Sequence, residues 1–231
     1  MESTKSDARP AQAARQRILD TAYDLFSHRG VGAVGVNELI DKAGVSKATF
    51  YRHFRSKEQL VFAFLEERER IWVYGWVIAE ARQRGATAED QLLAIFDLFG
   101  EWFAKDDYEG CSFVNVLLEI GDREHPVGQA CTAAFERLRS VIATLAEDAG
   151  LRDPAAFALS WHILMKGSIV QAAEGDLEAA KRAQTMGRLL IDHHRQAPRE
   201  SLARKKPATS LRPPALPLKQ TKTRAAASRN P

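Results

Sequence analysis

The most informative segment of the sequence is AGVSKATFYRHFRSKEQL, from Ala43 to Leu60. On a helix of 3.6 residues per turn, Phe50 and Phe54 lie about 40° apart and share one narrow face. Thr49 and Arg52 lie on roughly the opposite face. This segment is therefore predicted to contain a short helix with one buried apolar stripe, while most of its remaining surface carries basic, hydroxyl or aromatic groups.

A second short helix is predicted just before it, from Val36 to Ala43, followed by the turn Gly44-Val45-Ser46. Ser46 is a plausible N-cap for the helix from Lys47 to Phe54. The sequence Ser56-Lys57-Glu58-Gln59 matches a capping box and opens a long amphipathic helix to about Arg84. Two short helices joined by a glycine-containing turn form the helix-turn-helix layout, in which the second helix enters the major groove of DNA.

The rest of the chain also has helical periodicity, and no strand-like alternation of any length is present. Caps, first-turn prolines and terminal glycines predict helices over 15–29, 87–105, 111–120, 126–148, 154–174 and 177–195. From residue 196 the composition becomes proline-rich and basic, without aromatic residues. We expect residues 196–231 to be a disordered tail.

Charge is distributed unevenly although the net charge is only +3. Residues 1–56 are mildly basic, residues 57–194 are acidic, and residues 195–231 carry ten Lys or Arg against one Glu. The polar N-terminus has no signal-like apolar region, and no apolar run approaches the ~18 residues of a membrane span. Only two cysteines occur, so a disulfide framework is not indicated. We expect a cytoplasmic protein with no membrane partner.

The segments RQRILDTAYDLFSHRG and VNELIDKAGVSKATFYRHFRSKEQL, within residues 12–72, resemble the DNA-binding head of the TetR family of bacterial transcriptional regulators. The resemblance implies an all-α homodimer. A three-helix head over 12–72 binds a palindromic double-stranded DNA operator, and a long helix joins it to a helical ligand-binding and dimerisation domain over 73–195. A small-molecule effector, whose identity the sequence does not reveal, relieves repression in most members. No enzymatic activity, cofactor or metal is implied.

The family's DNA-binding segment corresponds to Gly35–Phe54, and its recognition helix to Lys47–His53. The sequence departs from the usual family pattern at two places. Gly35 and Val36 replace a pair of hydroxyl residues, so Asn37 is expected to supply a polar group there. Ala48 replaces a glycine that is frequent in the family. Lysine and arginine can bind phosphates or guanine edges, and the other polar groups suit phosphate oxygens. The predicted DNA-binding residues are Gly35, Val36, Asn37, Ser46, Lys47, Ala48, Thr49, Tyr51, Arg52, His53 and Lys57.

Candidate ligand-binding residues in the C-terminal domain are aromatic or sit near polar groups, as in most ligand pockets. Aromatic residues at helical spacing can equally belong to the core. Asn115 and Glu119 lie one turn apart on an otherwise apolar helix, where a pocket or a hydrogen bond to a neighbouring helix would satisfy them. The predicted set is Trp76, Phe99, Trp102, Phe103, Phe113, Asn115, Glu119, Trp161 and Met165.

The last two helices are the candidate dimer interface, because the resemblance implies that they pair with their mates in a four-helix bundle. The alternative is that they only close the core of one chain. A head that reads half-sites about 34–36 Å apart requires a second copy. The predicted interface residues are Phe157, Trp161, Leu164, Ile169, Leu189 and Leu190.

Other interpretations were weighed against the regulator. A helical enzyme could use Cys111, Glu119 or His125, but no nucleophile motif, phosphate loop or metal-ligand spacing accompanies them. Cys111 and Cys131 are either a redox pair or buried free thiols. The tail either raises non-specific DNA affinity or aids solubility, and a non-specific DNA-binding protein driven by the tail is a further alternative.

Overall fold

A computed structural model describes residues 8–195, with side-chain surroundings from residue 12 onward. Every regular element in that range is helical, which confirms the predicted all-α class. None of these helices is both long and apolar enough to span a membrane. The predicted tail lies outside the described residues, and its disorder stays a prediction.

Three helices form what we call the head: α1 (Ala8–Arg29), α2 (Val36–Lys42) and α3 (Lys47–His53). Their apolar faces meet in one core, in which Ile18, Leu39 and Phe50 have no exposed surface. α1 ends where Gly30 adopts a positive φ of 79°, a conformation that glycine reaches without strain. The head thus holds α3 by its inner face and leaves its outer face free.

One uninterrupted helical run connects the head to the rest of the chain, as the sequence predicted for residues 57–84. It comprises α4 (Lys57–Arg68), a π-helical segment (Glu69–Ile78) and α5 (Ala79–Arg84). Ser56 caps its start by accepting a hydrogen bond from the Gln59 N–H at 3.1 Å. Gln59 reaches back to the Arg55 N–H at 2.6 Å, one residue before the N-cap amide expected from a standard capping box. The sequence did not predict the π-helical segment, which widens the helix where it borders an internal cavity.

Five helices form what we call the body: α6 (Ala88–Phe103), α7 (Ser112–Ile120), α8 (Pro126–Asp148), α9 (Pro154–Ala173) and α10 (Ala179–Arg195). Their starts follow the predicted local signals. Thr87 and Asp90 form a reciprocal capping box at α6, and proline occupies the first turn of α8 and α9. α6, α8 and α10 all pack against α9, so α9 lies at the centre of the body.

Candidate nucleic-acid interface and internal cavity

α3 presents two different faces because its apolar residues recur at helical spacing. Phe50 and Phe54 are 0% and 2% exposed, and their ring centroids lie 6.1 Å apart. Ser46 caps the helix by accepting a hydrogen bond from the Thr49 N–H at 3.1 Å. Residues 43–57 contain four Lys or Arg and no Asp or Glu. The outer face of α3 is therefore a basic surface on a rigidly held helix.

The predicted DNA-binding residues fall into two groups by exposure. Gly35, Asn37, Ser46, Lys47, Ala48, Tyr51 and Arg52 are exposed, whereas Val36, Thr49, His53 and Lys57 are partly buried. Among the described residues, the His53 Nε2 atom is buried without a hydrogen-bond partner. Burial lowers the pKa of His53, and the charges of Arg52 and Arg15 lower it further. The buried position of Nε2 does not support the predicted contact between His53 and a phosphate.

A carboxylate from the body binds the loop between α1 and α2. Glu119, near the end of α7, accepts hydrogen bonds from the backbone N–H of Val31 at 2.8 Å and from that of Gly32. A Cβ atom at Gly32 would lie 2.6 Å from the nearer Glu119 oxygen, so the absence of a side chain there lets the carboxylate approach. We call this contact the Glu119 clamp. Glu119 is exposed and lies away from the internal cavity, so its predicted contact with a ligand is not supported by its position.

A second contact joins the other end of the α7 region to the head. The Glu109 carboxylate lies 3.2 Å from the His28 Nε2 atom. The pKa of His28 is raised by its hydrogen bond to the Asp24 carbonyl and by the charge of Glu109. The segment 109–119 is therefore attached to the head at both ends.

An internal cavity of about 40 Å³ lies between the π-helical segment and the body helices. That volume holds only one or two water molecules. Of the predicted ligand-binding residues, Phe99, Phe113 and Met165 line it. The full lining is Glu69, Trp72, Val73, Phe99, Cys111, Phe113, Ala134, Phe135, Leu138, His162, Met165, Lys166 and Ile169.

The remaining predicted ligand-binding residues lie outside this cavity. Trp102 lines a smaller adjoining cleft, and its ring centroid is 4.4 Å from that of Trp72. Phe103 and Trp76 extend the same aromatic cluster. Asn115 is exposed, and its amide donates to the Glu109 carbonyl at 3.2 Å. Trp161, the last of the set, is fully buried against Phe96 and Phe157.

Sequence reasoning missed the polar residues at one end of the cavity. His162 and Lys166 lie one turn apart on α9, which is otherwise largely apolar on its inner side. Two polar residues one turn apart on an apolar helix are the same signal that singles out Asn115 and Glu119, so the signal is present in the sequence. This signal could not distinguish His162 and Lys166, which border the cavity, from Asn115 and Glu119, which do not, because spacing alone does not show which face of a helix points inward.

These polar groups form a cationic end of the cavity. Nδ1 of His162 lies 3.4 Å from a guanidinium nitrogen of Arg139. Burial, and then the charges of Lys166 and Arg139, lower the pKa of His162 to about 3, so this imidazole is neutral. The Lys166 ammonium lies 3.7 Å from the centroid of the Phe135 ring. Glu69 is engaged elsewhere, in a paired contact with Arg137 that includes a 2.7 Å hydrogen bond.

Both cysteines are free thiols. Burial raises the pKa of Cys111, and it raises the pKa of Cys131 to about 11, so neither is a ready thiolate at neutral pH. Within residues 8–195, no cluster of three or more His, Cys, Asp or Glu side chains could hold a metal ion.

The candidate dimer residues split between two sides of α9 and α10. Phe157, Trp161 and Ile169 are buried within the chain itself, so their position does not support the predicted contact with a second copy. Leu164 and Leu190 are partly buried, and Leu189 is 66% exposed. The inner side of α9 packs on α6 and α8, which is why its largest apolar residues are inside.

A different set of apolar side chains faces outward on these two helices. On α9, residues 159, 163 and 170 fall within about 40° of one another at 100° per residue. α10 adds two more, and the exposed fractions range from 48% to 70%. We call this set the outer stripe: Leu159, Ile163, Val170, Met186 and Leu189.

Family models match both the N-terminal and the C-terminal part of the chain, and a solved structure matches most of its length. Residues 18–64 match the family model described as bacterial regulatory proteins, tetR family, and residues 88–185 match that of the transcriptional regulator LmrA/YxaF-like C-terminal domain. The crystal structure of SCO4454, a TetR-family transcriptional regulator from Streptomyces coelicolor, superposes with a TM-score of 0.74 at 26% identity, covering 80% of this chain and 97% of that one.

Two curated relatives are similar over shorter spans. The uncharacterized HTH-type transcriptional regulator Rv1255c of Mycobacterium tuberculosis is 43% identical over 63 residues, which are 27% of this chain and 31% of that protein. The HTH-type transcriptional repressor NemR of Escherichia coli is 30% identical over 135 residues, 58% of this chain and 65% of NemR. The chain thus spans less than a third of the mycobacterial relative and just under two thirds of NemR.

Proposed function

This chain belongs to the TetR family of bacterial transcriptional regulators, and on that premise we propose that it is a dimeric repressor that leaves a palindromic operator when a small molecule enters the cavity. The observation that carries the proposal is α3. Its inner face is anchored by the buried Phe50 and Phe54, while its outer face exposes Lys47, Tyr51 and Arg52. A basic helix held in this way can enter the major groove without reorganising the head.

The outer face of α3 supplies two kinds of contact. The guanidinium of Arg52 can donate two hydrogen bonds to a guanine edge, and Lys47 can neutralise a phosphate or donate to a base. The Tyr51 hydroxyl and the start of α4 near Lys57 suit phosphate oxygens. Thr49 lies with its hydroxyl oxygen 2.9 Å from that of Ser46, so its methyl group is the part that remains for a thymine contact.

The outer stripe supports a dimer. A single chain that left these five apolar side chains in water would lose the free energy of burying them. In a two-fold pair, the stripes of α9 and α10 from the two copies would form a four-helix interface, and the two heads would face successive half-sites.

Segment 109–119 connects the cavity to the head. Its N-terminal part contributes Cys111 and Phe113 to the cavity wall, and its C-terminal part carries the Glu119 clamp. A ligand larger than the cavity must displace these walls. The displacement would move the clamped α1–α2 loop and change the distance between the two α3 helices in the dimer.

The first experiment is selection of bound sites from sheared genomic DNA with purified full-length protein at near-physiological salt. We expect an inverted repeat to be enriched. Uniform recovery of all fragments would contradict sequence-specific binding and would favour the non-specific alternative.

The selected site then tests α3 directly. Arg52→Ala is expected to weaken operator binding by about 1–3 kcal/mol without lowering the melting temperature, because Arg52 is exposed. Arg82→Ala, an exposed arginine on α5, is the matched control and should bind normally. Equal affinities for the two variants would remove Arg52 from the interface.

A further inference from the structure

Lys166, at the cationic end of the cavity, has no acidic partner among the described residues. Lys166 makes no ion pair with any carboxylate among residues 12–195. Of the titratable groups near it, Arg139 carries the same charge, and the Cys111 thiol, whose pKa is raised by burial, supplies no counter-charge at neutral pH. Its ammonium instead rests over the face of Phe135. A partly buried cation without a counter-charge is unfavourable unless something else supplies that charge.

Two carboxylates in this region do not serve this role. Glu69 lines the cavity, but both of its oxygens bind Arg137. Glu136 lies 3.9 Å from Arg139, is 65% exposed, and does not line the cavity. The Lys166 charge in the cavity wall is therefore left without a counter-charge, and Arg139, which lies beside His162 just outside the lining, adds a second positive charge nearby.

His162 adds a neutral hydrogen-bond donor at the same end. Because its Nδ1 atom faces the guanidinium of Arg139, that nitrogen accepts and the proton resides on Nε2. A neutral imidazole and an ammonium one turn apart on α9 are two donors that a single carboxylate can bind. Apart from Glu69 and Cys111, the rest of the lining is apolar or aromatic, including Trp72, Phe99 and Phe135.

We propose that the ligand of this cavity is a small apolar carboxylate, whose carboxylate group binds Lys166 and His162 while its ring or alkyl chain packs among the aromatic side chains. This inference rests on the proposed function, in which the cavity is the effector site. A hydrophobic cation is the opposite class, and Lys166 and Arg139 would repel it. A neutral apolar molecule would leave the ammonium without a counter-charge.

Because the cavity is small, binding of this ligand must change the structure of the protein around it. A cavity of about 40 Å³ leaves too little free space for an aromatic acid, so such a ligand must push the cavity walls apart to bind Lys166. The attraction between the two charges supplies free energy for that separation. A neutral isostere of the same shape has to open the same space without it.

The test compares acids with their amides, which match in shape but lack the charge. Benzoate, phenylacetate and hexanoate are titrated into the full-length dimer by calorimetry beside benzamide, phenylacetamide and hexanamide. We expect at least one acid to bind roughly 10- to 100-fold more tightly than its amide, the range of a charge-assisted hydrogen bond. Lys166→Met should remove this preference, and Lys166→Arg should keep most of it.

Lys105→Met is the matched control. The Lys105 ammonium also lies over an aromatic ring, that of Trp76 at 5.5 Å, but neither residue lines the cavity. This variant should retain the full preference for the acid. Binding of the amide and a melting curve show whether each variant is folded.

The outcomes separate this inference from the proposed function. Equal binding of every acid and its amide, or no binding of any acid, would overturn the carboxylate proposal, and a preference that survives Lys166→Met would overturn the role of Lys166. If the protein still binds its operator in those cases, the repressor proposal stands. Conversely, a Lys166-dependent preference in a protein that selects no DNA site would support the cavity assignment while the repressor proposal fails.

Discussion

The Glu119 clamp can be tested by a double-mutant cycle with Gly32. Each clamp hydrogen bond joins a charged carboxylate to a backbone N–H, a type that contributes about 1.5–3 kcal/mol. Glu119 is exposed, so we take a value at or below the lower end for each bond, about 2 kcal/mol for the pair. Glu119→Ala should then lower the melting temperature by roughly 4–8 °C, since 1 kcal/mol corresponds to about 2–4 °C in a protein of this size.

Gly32→Ala perturbs the Glu119 clamp from the side of the α1–α2 loop. The new Cβ would lie 2.6 Å from one Glu119 oxygen, so that end of the flexible side chain must move and one hydrogen bond is lost. We expect a loss of about 1 kcal/mol in the native background. In the Glu119→Ala background the obstacle is gone, and the same substitution should be neutral or slightly stabilising, because alanine restricts the unfolded chain.

The assay is urea unfolding of the four proteins at one fixed protein concentration, so that dimerisation contributes equally to each. The cycle should give a coupling free energy of about 1 kcal/mol between residues 32 and 119. If Gly32→Ala costs the same with and without the Glu119 carboxylate, the clamp does not hold the loop, and the proposed route from the cavity to the head loses its last step.

Three further predictions concern the core of the head, the dimer and the pH response. Phe50→Ala should destabilise the protein by about 3–5 kcal/mol, because the ring is fully buried; an unchanged melting curve would contradict that burial. Ile163→Glu should convert the dimer to a monomer in sedimentation experiments, while Leu118→Glu, at a still more exposed leucine on α7, should not; dimers from both variants would rule out the outer stripe. The pKa of His28 is raised in the folded state by its hydrogen bond to the Asp24 carbonyl and then by the charge of Glu109, so these contacts stabilise the fold below the ordinary pKa of 6.5, and this stabilisation is lost as the pH rises through the raised value. His28→Gln should therefore lower the melting temperature more at pH 5.5 than at pH 8.5, and a difference independent of pH would count against a stabilising role for these two contacts.

Much of the head could be predicted from the sequence because its determinants are local. The turn 44–46, the caps at Ser46 and Ser56 and the spacing of Phe50 and Phe54 lie within about a dozen residues of one another. Capping bonds and helical periodicity act over one or two turns, so they can be read without knowing the neighbouring helices. The family and the all-α class followed from this stretch and are confirmed by the comparisons and by the fold.

The tertiary structure decided which side of each body helix faces inward. α9 is apolar on nearly its whole circumference, so periodicity could not distinguish Trp161, which is in the core, from Ile163, which is in the outer stripe. Trp161 is buried because it lies on the side of α9 that packs against α6 and α8, and Ile163 is exposed because it lies on another side. The contact of Glu119 could not be predicted from the sequence either, because its partners Val31 and Gly32 lie 88 and 87 residues away along the chain.

Local sequence signals were enough to predict where helices begin and end and which short helix can bind DNA, because those features depend on interactions between residues close along the chain. Only the tertiary structure brought Lys166 and His162 to the cavity and Glu119 to the head, since these contacts depend on how helices distant in sequence pack together.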